Sequence, residues 1–155
     1  MNNARARTPL DASYAESLGT VAYCFARCEW NVAWCCERIA PGSLDKFRTD
    51  RSTAGQIGKH CKNLVRNMPP SSARKEFAEL ADAFLVLVEL RNDMLHGKPC
   101  TAPGGAQRLS GSQIWEISDL NLAADRFTEC SIAVNGLLHG FLAQLASWLE
   151  TSAKT

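Results

Sequence analysis

The sequence predicts an all-α fold: a four-helix up-down bundle with a short hairpin or loop insertion between the third and fourth helices. Three observations lead there. Apolar residues recur at steps of three and four through four stretches, the spacing of a buried helix face. Pro41-Gly42, Pro69-Pro70 and Gly97-Lys98-Pro99 punctuate those stretches. Only 98–118 breaks the pattern, with glycine, proline and serine between short mixed runs. At 155 residues the chain fits one domain. Residues 1–10 are expected to be a flexible N-terminus and 11–151 the single helical domain.

The first helix should begin near Asp11 or Ser13 and stop at Pro41-Gly42. Leu18, Val21, Phe25, Cys28, Val32, Cys35 and Ile39 make its core stripe. A second stripe, Tyr23, Arg27, Trp30 and Trp34, lies nearly opposite the first. Aromatics and arginine on a second face point to a subunit contact, with Tyr23, Trp30 and Trp34 as the dimer interface. Residues 41–52 read as a polar loop. The second helix spans Thr53 to Asn67, with Ile57, Cys61, Leu64 and Val65 inward and Lys59, Lys62 and Arg66 along one edge.

Ser71 or Ser72 caps the third helix, which runs to about His96 with Phe77, Leu80, Ala81, Phe84, Leu87, Val88, Arg91 and Leu95 on its apolar stripe. Gly97 occupies the place of a C-terminal cap. Gln107-Arg108-Leu109 and Gln113–Ile117 flank Ser110-Gly111-Ser112, which suggests the hairpin. Ser118 or Asp119 then caps the fourth helix, drawn to about Thr151 along a seam from Leu120 to Trp148.

With 46% hydrophobic and 21% charged residues, the composition is that of a soluble globular protein. The apolar run Ala83–Val88 is far too short for a bilayer and the first residues carry no secretory signal, so the expectation is a cytoplasmic protein without a membrane partner. Seven cysteines, an odd count with four in the first helix, make a poor disulfide framework and read as buried free thiols. With no Cys-x-x-Cys pair, neither a metal nor another cofactor is expected. The net charge of +1 hides an asymmetry: 41–75 hold eight basic residues against two acidic ones, and the second half is acidic. That basic segment is either a solvated face or a phosphate-attracting patch.

The candidate chemistry gathers at the end of the third helix, where Arg91, Asn92 and His96 follow a long apolar run and precede Gly97. Arg91-Asn92-x-x-x-His96 resembles the R-x4-6-H motif of HEPN-domain proteins, in which a polar residue commonly follows the arginine. The placement within a four-helix, HEPN-like domain matches as well. The resemblance implies a metal-independent endoribonuclease, acting on RNA as a homodimer that joins two copies of the motif in one site. It implies a toxin or defence effector, open to control by an antitoxin or other regulatory protein. The residue types suit that chemistry. An imidazole titrates near about pH 6.5, so His96 can take the proton of a ribose 2′-hydroxyl. Arg91 supplies a permanent forked charge for phosphate oxygens, and Asn92 could orient His96 or the phosphate. Lys59, Lys62, Arg66 and Lys98 are the candidate RNA contacts. Lys98 stands where the HEPN toxins paired with a minimal nucleotidyltransferase carry the tyrosine that receives a nucleotide, so that form of control is not implied here.

Arg91 and His96 are five apart, about 140° around a regular helix, so a dimer or a loosened last turn is needed to bring two motifs together. The other possibility is a non-catalytic helical module that binds nucleic acid or protein. There the histidine is favoured by the helix dipole and the arginine lays its stem along apolar surface.

Overall fold

The computed structural model of the chain describes residues 7–145. The elements run α1 (Ala12–Ile39), α2 (Ser43–Thr49), α3 (Ala54–Arg66), α4 (Ser72–Leu95), β1 (Lys98–Thr101), β2 (Gln107–Ser110), β3 (Ile114–Trp115) and α5 (Ile117–His139). The fold is thus mostly helical with one small antiparallel sheet, ordered β1-β2-β3. The assignments made above to residues 1–6 and 146–151, Trp148 included, lie outside the described residues.

The apolar stripes fix the packing. α1 lies along α5 and against α3, while α4 packs on α3 and α5. Val21, Phe25, Cys28, Val32 and Cys35 of the α1 stripe are buried, as are Phe77, Ala81, Phe84, Leu87 and Val88 of α4. Phe25 sits at the junction, stacked on Phe84 (6.0 Å between centroids) and edge-on to Phe127 of α5 (5.2 Å). Burying each such ring contributes about 1.5–3 kcal/mol. The α1–α5 seam also carries a polar tie, in which the Asn31 side chain donates to the Ser131 hydroxyl at 2.9 Å. Beyond Arg91, Met94 rather than Leu95 continues the buried stripe of α4, and Leu95 is exposed.

Four sequence expectations need correction. First, 41–52 is not all loop, because Ser43–Thr49 forms α2. The Glu37 carboxylate accepts from the Gly42 and Leu44 N–H groups at 3.0 and 2.9 Å. That satisfies donors at the start of α2, while Phe47 is buried from its inner face. Second, the insertion holds three strands. β1 pairs with β2 (Lys98 opposite Ser110) and β2 with β3 (Leu109 opposite Trp115). Third, α5 starts two or three residues earlier than Ser118 or Asp119 would place it, with Glu116 as N-cap and its N–H donating to the Asp119 carboxylate at 3.0 Å. It also stops at His139 rather than running on. Gly140 leaves helical geometry (φ −96°, ψ −94°), and 141–145 are helical again. Fourth, Gly97 does not act through a left-handed φ. Its value is room, since a Cβ there would sit 3.0 Å from the Met94 carbonyl and 3.2–3.3 Å from Ser110 and Leu109. The sheet can therefore fold back directly onto the end of α4.

Candidate functional site

Arg91 lies on the inward side of α4 because it occupies a core-stripe position, and its stem needs cover. Its guanidinium carbon stands 4.6 Å from the centroid of the Phe25 ring. One terminal nitrogen donates to the Asn92 side-chain oxygen at 2.9 Å, and the other lies 3.8 Å from the Glu29 carboxylate, too far for a hydrogen bond. Its Nε is buried with no hydrogen-bond partner. Burial pushes the Glu29 carboxyl up from its ordinary value, and the positive charge of Arg91 pulls part of that back.

Asn92 is half-buried, and its oxygen serves Arg91. His96 forms the C-cap of α4 (φ −93°, ψ 4°) and is exposed, its N–H donating to the Asn92 carbonyl at 3.0 Å. Arg91 and Asn92 are therefore brought together. No side-chain hydrogen bond, ion pair or ring contact joins either of them to His96 among the described residues.

Asp93, which the sequence reading passed over, secures the support of the site. Its carboxylate accepts from the Ser112 N–H (2.7 Å), the Ser112 hydroxyl (3.0 Å) and the Trp115 indole N–H (3.0 Å). These bonds, the Ser112 N–H foremost, hold its carboxyl below the ordinary value of 3.8. A Cβ at Gly111 would stand 2.4 Å from the Asp93 carbonyl, so only glycine allows the β2–β3 turn to approach this closely. Arg108 ties the sheet to the start of α1 and the N-cap of α5. It donates to Glu116 (2.8 Å) and Asp11 (3.1 Å) and lies over the Tyr14 ring.

Of the candidate RNA contacts, Lys59 and Arg66 are exposed along α3, and Lys98 is exposed at the start of β1. Lys62 is exposed too but forms an ion pair with Asp82 of α4. His60 is half-buried edge-on against Phe47 and 3.5 Å from the Ser43 hydroxyl; burial, with Lys46 nearby, holds its pKa below the ordinary histidine value.

Tyr23, Trp30 and Trp34 form a ridge on the outer face of α1, respectively 71%, 56% and 36% exposed, with the two indoles edge to face at 5.9 Å. Beside the ridge, between α1, α2 and the start of α3, opens a groove of about 460 Å³. Ala26, Glu29 and Trp30 line one wall, and Leu44, Phe47 and Ile57 the other.

The sequence reading also missed Glu29. The available signal was Arg91 itself, because an arginine on an apolar stripe calls for a countercharge nearby, and Glu29 stands one turn after Phe25 on the facing helix. The buried cysteines Cys28, Cys35, Cys36, Cys61 and Cys130 are free thiols, and burial pushes Cys35 up to about 12. Among the described residues no helix is long and apolar enough to cross a membrane. No family model matches the chain, and no match was found among the curated proteins or the solved structures.

Proposed function

We propose that the chain is a metal-independent endoribonuclease of HEPN type, a cytoplasmic toxin or defence effector whose four long helices form an up-down bundle and whose site is composite across a homodimer. The observation that carries this is the placement of His96: an exposed imidazole closing α4, five residues beyond an arginine whose charge is seated at the core's edge. In this mechanism His96 takes the proton from a ribose 2′-hydroxyl, whose oxygen attacks the adjacent phosphorus. The P–O5′ bond breaks, the leaving oxygen takes a proton from the second copy's His96, and a 2′,3′-cyclic phosphate remains. Arg91 stabilises the charge on the phosphoryl oxygens by exchanging its loose 3.8 Å pairing with Glu29 for one of them. Asn92 keeps the guanidinium oriented. Tyr23, Trp30 and Trp34 supply the apolar contact between copies, and Lys59, Lys62, Arg66 and Lys98 attract the RNA backbone.

The test is incubation of the pure protein with tRNA and mRNA in excess EDTA. Cleavage leaving 2′,3′-cyclic ends is expected, absent in His96→Ala at an unchanged melting temperature. Undiminished cleavage by that variant rejects the assignment.

One observation favours a second reading, a non-catalytic helical module binding nucleic acid or protein. Arg91 is engaged by Phe25, Asn92 and Glu29 and makes no contact with His96. On that reading the arginine is structural, the aromatic ridge is the working surface, and no RNA is cut.

A further inference from the structure

The groove beside Trp30 combines an apolar wall, an indole and a carboxylate. Its walls are mainly apolar, yet the Glu29 carboxylate, with its side chain 31% exposed, stands among them. That carboxylate has one recorded partner, Arg91, at 3.8 Å, and accepts no hydrogen bond from any described residue. A carboxylate whose oxygens no described side chain occupies, lining a mainly apolar groove, gives a ligand with adjacent donors a place to bind. Trp30, 56% exposed, offers an indole surface at the same groove. The ligand should therefore be flat, able to stack, and able to donate two adjacent N–H groups to one carboxylate fork.

Among the four RNA bases only guanine fits. Its N1–H and N2–H2 lie side by side on one edge. Adenine and cytosine place a ring acceptor beside their single amino group, and uracil flanks its one N–H with two carbonyls; each would turn a lone pair toward the carboxylate. Burial raises the Glu29 carboxyl above its ordinary value, and Arg91, behind it, pulls part of that back toward the ionised acceptor form. Arg48 also lines the groove, but its pairing with Asp45 there offsets the charge it would bring to an attached phosphate, so recognition falls to the base itself. Trp30 is shared between the ridge and the groove, whereas Tyr23 and Trp34 do not line the groove, so the site requires a second copy seated on Tyr23, Trp34 and only the ridge side of Trp30.

We propose that this groove is a guanine-binding site, with Glu29 accepting from N1–H and N2–H2 and Trp30 stacking on the base. That the guanine belongs to single-stranded RNA rests on the ribonuclease reading; the recognition chemistry does not, and a free guanine nucleotide would satisfy it equally.

The test is equilibrium binding to the full-length His96→Ala protein, in which RNA stays intact. The probes are 5′-GMP, 5′-AMP, and the pentanucleotides UUGUU, UUAUU and UUIUU, where I is inosine. Guanine should be preferred over adenine by about tenfold or more, and inosine, lacking the N2 amino group, should bind about tenfold more weakly than guanine. Glu29→Gln should abolish the preference while leaving the far-UV spectrum unchanged. Equal binding of guanine, adenine and inosine by the parent protein overturns the proposal, whether or not Glu29→Gln folds, and so does a guanine preference that survives in folded Glu29→Gln. Binding of UUGUU over UUAUU places the base in RNA; selective binding of 5′-GMP without that difference makes the ligand a free nucleotide. Cleavage by the wild-type protein is scored separately, so failure of the guanine site and failure of the ribonuclease reading are told apart.

Discussion

Arg91 and His96 stand five residues apart on one helix and live in opposite surroundings. Arg91 is half-buried, laid over Phe25, bonded to Asn92 and facing Glu29, while His96 projects into solvent from the last turn. A permanent charge tied into the core is fixed in place but slow to respond. An exposed imidazole can move, meet a substrate and exchange its proton. If the pair acts on RNA, the two residues divide the work into a stationary electrostatic part and a mobile proton carrier. They should then respond differently to the same change.

The largest difference expected is between cleavage and stability. His96→Ala should lower cleavage by about 10²–10⁴-fold, the range for loss of a positioned acid–base group, with the melting temperature nearly constant. Arg91→Ala should lower both. It removes the cation over Phe25 and leaves Glu29 partly buried without its countercharge, for about 1–3 kcal/mol of destabilisation. Equal melting temperatures for the two variants would erase the contrast.

The pH dependence of Arg91→Ala sharpens it further. Burial already raises the Glu29 carboxyl, and the arginine is the opposing influence. Without Arg91 the folded-state value rises further above the unfolded one. Stability from a raised carboxyl is present below the unfolded pKa and is lost as pH rises through the folded one. The stability deficit of Arg91→Ala relative to wild type should therefore be larger at pH 7.5 than at pH 4, as measured by thermal unfolding in matched salt. A deficit independent of pH would assign the cost to Phe25 alone.

Asp93 offers a smaller test of what holds His96 in place. Asp93→Asn keeps the size of the side chain but weakens the acceptor shared by Ser112 and Trp115. The turn should loosen against the end of α4, seen as a red shift in Trp115 emission and faster amide exchange at Ser112. Because the folded-state carboxyl lies below 3.8, its contribution is present above that value and disappears as pH falls through the folded value. Wild type should thus approach the variant in acid.

Periodicity made the long helices legible, since each has a core that repeats at three and four. α2 escaped because its seven residues give Phe47 and Leu44 only one helical step, while the interaction that starts it comes from Glu37 on the preceding helix. The sheet was half legible: the β2–β3 turn carries serine and glycine, but β1 holds Pro99 and depends on the close approach that Gly97 permits. At the site, the sequence displayed the three polar residues, and their 140° offset already separated Arg91 from His96. It could not display Glu29, Phe25 or Asp93 as neighbours, because those contacts join residues far apart in the chain.

The same distinction between held and free charge recurs on α3 and yields the smallest effect. Lys62 is paired with Asp82, whereas Lys59, one turn earlier, has no ion-pair partner among the described residues. An exposed pair of this kind is worth little to stability, but a lysine already facing a carboxylate brings less net charge to a phosphate. If the basic edge binds single-stranded RNA, Lys59→Ala should reduce the slope of log K against log salt by about 0.7, the value of one lost phosphate contact. Lys62→Ala should reduce it by less, and Asp82→Asn should strengthen binding by freeing that lysine. Slopes measured between 50 and 300 mM salt, roughly the range over which phosphate contacts dominate affinity, decide this. If all three variants match wild type, α3 presents a solvated face and the RNA must approach along another surface.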